Sequence, residues 1–418
     1  MEKLIINGGR SLCGSIDLQG SKNSILPILA ATLITGKISV LHNCPVLTDV
    51  DAAIKILLHL GCKVSREGHT LIVDSGDASG HEIPDTLMHE MRSSIIFLGA
   101  MLARFRRAKL TAPGGCEIGL RPIDLHLSSF RKMGVSVEEA GGCIECRNEN
   151  GIKSNLITLN FPSVGATENI MLAAVNAEGE TVITNAAREP EITDLAEFLN
   201  SCGAEIHGAG ESAVRIIGVR KFSATEHTVI PDRIVASTYM AAAACTQGDV
   251  SLKGVEKEHL APVIPVFETM GCDVSFKGDG MRIRSFARPE RIKLIRTMPY
   301  PGFPTDSQAL VMAVAVKANG TSVITEKIFE NRFRHAPELI KMGADIRVED
   351  ACVAVVEGVK NLYGANVTAS DLRGGGALAV AALGAHGETV IDKIYHIDRG
   401  YEALERNLSA LGADIVRR

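Results

Sequence analysis

One unit, repeated six times, limits what this chain can fold into more than any other feature. A helix end, a glycine and a strand recur as LHLGCKV, RKMGVSV, NSCGAEI, ETMGCDV, IKMGADI and SALGADI. The glycines are Gly61, Gly134, Gly203, Gly271, Gly343 and Gly412, spaced 68 to 73 residues apart. A second marker keeps the same period: an alanine-rich helix, a turn and a strand. Gly36, Gly179, Gly248, Gly320 and Gly387 hold five of those turns, and Arg107-Ala108 holds the remaining one. Two independent markers with one period identify a repeat architecture. The fourth copy shows its grammar: strand HTVIP, helix DRIVASTYMAAAACTQ, strand GDVSLKGV, helix APVIPVFETMG, then a hairpin about Gly278-Asp279-Gly280. The unit reads βαβαββ.

The sixth copy stops one strand short at ADIVRR, and EKLIING precedes the first copy, whose leading strand reads SIDLQG. The N-terminal strand is therefore expected to complete the last unit. Three units per domain give residues 20–229 as one domain, and 1–19 with 230–418 as the other. The expected ligand site is the cleft between them.

Composition narrows the function. The chain has 418 residues, 44 basic against 49 acidic, and a net charge of -5, so nothing draws it generally to nucleic acid. It has no Trp, 5 Tyr and 12 Phe, too few aromatics for base stacking. No apolar run reaches about 18 residues, and MEKLIINGG lacks the long apolar core of a signal peptide. A cytoplasmic protein without membrane insertion is expected. The ten cysteines read mostly as small buried hydrophobes. The one CxxC, Cys143 with Cys146, has no second pair at zinc spacing, and no metal or cofactor is expected.

Polar groups gather where each leading strand meets its helix. The junctions carry Lys22 and Asn23, Arg92, Ser163 and Gly165, Asp232 and Arg233, Thr305 and Asp306, and Asp371 and Arg373. Helix capping accounts for Ser163, Thr305 and Asp371. It does not account for Lys22, Arg92, Arg233 and Arg373, since cations oppose the positive helix end. They gain if an anion binds there. The second junctions add Arg121, Arg188, Arg332 and Arg399, which predicts a polyanionic ligand such as a pair of phosphorylated substrates. No Walker loop and no GxGxxG after a strand is present. Cys116, in PGGCEIG, sits in a glycine-flanked loop five residues before Arg121, a setting that can lower a thiol pKa.

These motifs together carry a resemblance. KNSILPILAATL, MRSS, PGGCEIGLRPIDLH, FPSVGATENI, NAAREPEI, PDRI, FPTD, FENRF, DLR and HIDRGY resemble those of the UDP-N-acetylglucosamine 1-carboxyvinyltransferases, or UDP-GlcNAc enolpyruvyl transferases, in order from Lys22 to the C-terminus. The resemblance implies an α/β fold, a two-domain inside-out barrel of six βαβαββ repeats. It implies enolpyruvyl transfer from phosphoenolpyruvate to the 3-hydroxyl of UDP-GlcNAc, the first committed step of peptidoglycan synthesis. It carries roles onto matching positions. Cys116 matches the proton donor alkylated by fosfomycin, and Asp306 the base. Lys22, Arg92, Arg121 and Arg399 match the phosphoenolpyruvate-binding cations, and Asn23 a neighbouring active-site residue. Arg121, Pro122, Ile123, Asp124 and Leu125 match the uridine segment, with Ser163, Val164 and Gly165 near the diphosphate. Asp306 and Ile328 match UDP-GlcNAc contacts; Arg332, Asp371 and Arg373 match further site positions. The chain departs from the family pattern at Val235 and Ser237, and in the glycine-rich DLRGGG. Two other readings share the scaffold: a 5-enolpyruvylshikimate-3-phosphate synthase, against which the PGGC loop argues, and an inactive nucleotide-sugar-binding paralogue.

Overall fold

The computed structural model describes residues 2–111 and 123–418, with Arg92 described through its backbone alone. These residues divide into two compact units, one of residues 2–19 with Pro231–Arg418 and one of Gly20–Ile230. No helix is long and apolar enough to cross a membrane among the described residues.

Each unit is organised around three helices that are buried on nearly every side. In Gly20–Ile230 these are Lys22–Thr35, Phe97–Phe105 and Val164–Ala174. In the other unit they are Arg233–Thr246, Thr305–Ala315 and Leu372–Leu383. From Ser24 to Thr35 no residue reaches the surface, and Arg233–Cys245 is buried as continuously. Such helices cannot lie on a surface; they must form a centre. The three helices of each unit pack on one another. Helices such as Thr48–His59 and Pro190–Ser201 instead bury one face.

Six four-stranded sheets complete the units, and all share one order. The leading strand pairs in parallel with the second; the fourth lies beside the second, and the third on the far edge. Thus Ile295–Arg296 pairs with Thr321–Thr325, then Val353–Glu357, then Asp345–Glu349. The N-terminal strand Leu4–Asn7 takes the fourth place in the last sheet, antiparallel to both Glu388–Asp392 and Asp414–Arg417. The expected completion of the sixth unit by the N-terminus is thus observed.

One expectation is corrected. The leading strand Cys13–Asp17 does not pair with the first copy but with Asp249–Lys253 of the fourth. In exchange, Thr225–Thr228 pairs with Ile38–His42 of the first. That strand also lies slightly upstream of the HTVIP expected for it. Sequence order shows which strand precedes which helix, whereas parallel pairing is non-local and leaves no local pattern.

Candidate active site

In Pro231–Arg418 the three central helices start close together, and their first residues form an ion cluster. Asp371 caps Leu372–Leu383, accepting from the backbone N–H of Arg373 and Gly374. Asp232 likewise caps Arg233–Thr246. Asp306 is the second residue of Thr305–Ala315, and its carboxylate meets Arg332 Nη2 at 2.6 Å and Arg373 Nη2 at 3.4 Å. Arg332 Nη1 lies 3.7 Å from Asp371. Both guanidinium side chains are 3% exposed, so they are held by protein partners rather than by water. Burial opposes the charge of Arg373, but Asp306, Tyr401 and Asp232 outweigh it and hold it firmly protonated. Burial also pushes Asp371 up, yet Arg332 and the Gly374 N–H leave its carboxyl below the usual range.

Tyr401 joins the third helix. Its hydroxyl is 3.0 Å from Thr238 Oγ1, and Arg373 lies over its ring at 5.7 Å. Glycine makes this approach possible: a Cβ at Gly376 would stand 2.6 Å from the Tyr401 hydroxyl, and one at Gly375 would stand 2.7 Å from Ile397. The glycine-rich DLRGGG thus brings the segment that carries half-buried Arg399 against the helix. The other departures, Val235 and Ser237, face the buried helix packing.

The expectation that Thr305 caps its helix is corrected. The cap position is Pro304, and the Thr305 hydroxyl donates to Glu326 Oε2 at 2.9 Å. The physical reason is a stronger acceptor close by. Buried Glu326 also accepts from Thr297 Oγ1 and from the Ile328 backbone N–H, both at 2.7 Å. It fixes the Ile328 turn relative to the helix start that bears Asp306. Sequence reasoning passed over Glu326 because its partners lie 2 to 29 residues away.

In Gly20–Ile230, Lys22 and Asn23 are the first two residues of their helix. Lys22 Nζ is 3.3 Å from Asp49 Oδ2, a carboxylate only 1% exposed. Arg92 opens the 3-10 turn Arg92–Ile96 that leads into Phe97–Phe105; its side chain lies outside the described residues. Ser163 caps Val164–Ala174 through the Ala166 N–H, placing Val164 and Gly165 in the first turn. Ile123 precedes helix Asp124–Lys132, with Asp124 exposed and Leu125 half-buried at its start. Cys116, Arg121 and Pro122 lie outside the described residues.

Asn169, which sequence reasoning did not single out, ties these segments together. Its amide N–H groups donate to the Ile95 carbonyl and to His126 Nδ1, both at 2.9 Å, and its Oδ1 accepts from Gly99 N at 2.7 Å. Burial drives His126 down to about 4, leaving a neutral ring able to accept. The Arg92 turn, the Ser163 helix and the Asp124 helix are thereby locked in register.

The family described as EPSP synthase (3-phosphoshikimate 1-carboxyvinyltransferase) matches residues 6–408. UDP-N-acetylglucosamine 1-carboxyvinyltransferase 2 of Caldanaerobacter subterraneus subsp. tengcongensis is 54% identical over 417 residues, covering all of both chains. UDP-N-acetylglucosamine 1-carboxyvinyltransferase 1 of Symbiobacterium thermophilum is 49% identical, over all of this chain and 95% of its own. Among solved structures, the enolpyruvyl transferase NikO from Streptomyces tendae superposes with a TM-score of 0.90 at 26% identity, over 100% of this chain and 98% of its own. EPSP synthase from Acinetobacter baumannii reaches 0.78 at 18% identity over the whole of both chains, a likeness of fold.

Proposed function

This chain belongs to the enolpyruvyl transferase family whose namesake is EPSP synthase, and from its likeness to UDP-N-acetylglucosamine 1-carboxyvinyltransferases we infer that it acts on a nucleotide sugar. It transfers the enolpyruvyl group of phosphoenolpyruvate to the 3-hydroxyl of UDP-N-acetylglucosamine and releases phosphate, opening peptidoglycan synthesis. The observation that carries this reading is the 54% identity, end to end, with a UDP-N-acetylglucosamine 1-carboxyvinyltransferase. The shikimate-phosphate alternative rests on the family's namesake and on a fold likeness at 18% identity.

The chemistry is addition followed by elimination. The sugar hydroxyl adds to C2 of phosphoenolpyruvate while C3 takes a proton. The resulting ketal loses phosphate, and C3 gives up a proton to restore the double bond. Cys116 supplies the proton to C3 and Asp306 takes the one from the hydroxyl. Asp306 suits that task because Arg332 and Arg373 fix its carboxylate. Lys22, Arg92, Arg121 and Arg399 bind the phosphate and carboxylate of phosphoenolpyruvate. Arg121 to Leu125 receive the uridine. The N-terminus of Val164–Ala174, behind Ser163, Val164 and Gly165, offers backbone N–H groups to the diphosphate. Asn23, Ile328 and Asp371 complete the contacts. The reading places the reaction in the cytoplasm.

Fosfomycin tests the thiol. The Cys116 thiolate is expected to open its epoxide, forming a carbon–sulfur bond as the carbon–oxygen bond breaks and the oxygen takes a proton. Peptide mass spectrometry should find one adduct, on the peptide containing Cys116. Cys116→Asp should keep turnover and lose the adduct. Inactivation of that variant by fosfomycin would overturn the assignment.

A further inference from the structure

We infer that Asp194 is a positioning residue for the helix turn that carries Lys22 and Asn23. The inference rests on the reading of Lys22 as a phosphoenolpyruvate-binding cation, and adds a residue that sets its place.

Asp194 lies in Pro190–Ser201 and is 1% exposed. Its carboxylate accepts from the Ser24 hydroxyl, from His227 Nε2 at 2.8 Å and from the Ile230 backbone N–H at 3.4 Å. The Ile230 carbonyl in turn accepts from Ser21 N at 2.7 Å. Lys22 and Asn23 are therefore bracketed. Ser21, on one side, is held by Ile230; Ser24, on the other, is held by Asp194; and Asp194 also holds Ile230. The turn needs this support, because its own cap residue, Ser21, makes no side-chain capping bond. His227 is itself fixed, its ring edge-on to Phe198 with centroids 5.7 Å apart.

A buried carboxylate bonded to a serine, an imidazole and an N–H is an expensive way to fill space, and an apolar residue there would cost less. The repeats supply an internal control. Counted back from the glycine that ends each second helix, the position of Asp194 holds Ala52, Leu125, Pro262, Arg334 and Ala403 in the other five copies. The fold does not require a carboxylate at this place. Thr48–His59 also packs on the Lys22 helix and holds Ala52 at this place, so among the six copies the carboxylate belongs to Pro190–Ser201 alone.

Steady-state kinetics of the full-length enzyme test the inference with Asp194→Asn, Ser24→Ala and the double variant. Asparagine keeps the volume but presents an N–H to one of three donors. In each single variant KM for phosphoenolpyruvate should rise about fivefold or more, with KM for UDP-GlcNAc within about twofold of wild type. The double variant should be no worse than Asp194→Asn, since both changes cut one path. A purely structural role would move both KM values together, or make the two changes multiply, and either result overturns the inference. Amide hydrogen exchange over residues 21–28 reads the placement without turnover. It should quicken in both single variants while the helix Phe97–Phe105 keeps its protection, and unchanged exchange over 21–28 overturns the inference. A wild type without turnover would instead sink the proposed reaction, and the exchange result would still decide the placement.

Discussion

A buried imidazole in each unit makes that unit sensitive to acid. Burial drives His126, in Gly20–Ile230, and His335, in Pro231–Arg418, from 6.5 down to about 4. Their folded pKa values are depressed, so between those limits the unfolded chain binds a proton that the folded chain refuses. Stability is complete above about pH 6.5 and falls as the pH approaches 4, by about 1.4 kcal/mol per pH unit for each histidine. Asp371, also held low, adds to the loss only further into the acid range. Urea unfolding at pH 7 and pH 5 should show His335→Leu losing less stability than wild type between the two. An equal loss would contradict the assignment. At this scale the sequence was legible where one residue acts through its type, as with the arginines and aspartates at helix starts. It was not legible where a role depends on a distant partner. Nothing adjacent to Thr305 announces Glu326, and nothing near Ser24 announces Asp194.

Helix Leu372–Leu383 opens on Arg373 and three glycines, where local propensity and packing make opposite demands. Propensity alone says that Gly376→Ala stabilises the helix by about 1 kcal/mol. Packing says the reverse, because the new methyl would stand 2.6 Å from the Tyr401 hydroxyl. We expect packing to win, with a net loss of about 1–3 kcal/mol and a lower melting temperature. The same shift should weaken phosphoenolpyruvate binding, since Tyr401 lies two residues beyond Arg399. A raised melting temperature would show that Tyr401 yields at no cost. The six-fold repeat made the elements readable, helix by helix and strand by strand. The exchange of Cys13–Asp17 with Thr225–Thr228 was not readable, because a short leading strand pairs along one edge and its sequence names no partner.

The chain as a whole closes on itself within one sheet. Lys3 and Arg418 exchange backbone hydrogen bonds at 2.7 and 3.0 Å, and Leu4–Asn7 lies between two strands from the other end of the sequence. Joining residue 418 to residue 2 and opening the chain at the exposed Gly141-Gly142 turn should therefore preserve folding and turnover. Deleting residues 2–8 should not, because it removes Leu4 and Ile6 from the core and the inner strand Leu4–Asn7 from the last sheet. Circular dichroism and thermal melting of the two proteins check this; similar melting of both would contradict it. The central claim remains the acceptor. It is tested most directly by phosphate release from purified protein and phosphoenolpyruvate, with UDP-N-acetylglucosamine or shikimate 3-phosphate as parallel acceptors. The account predicts release with UDP-N-acetylglucosamine alone, abolished by fosfomycin. Release with shikimate 3-phosphate, or with neither acceptor, would contradict it.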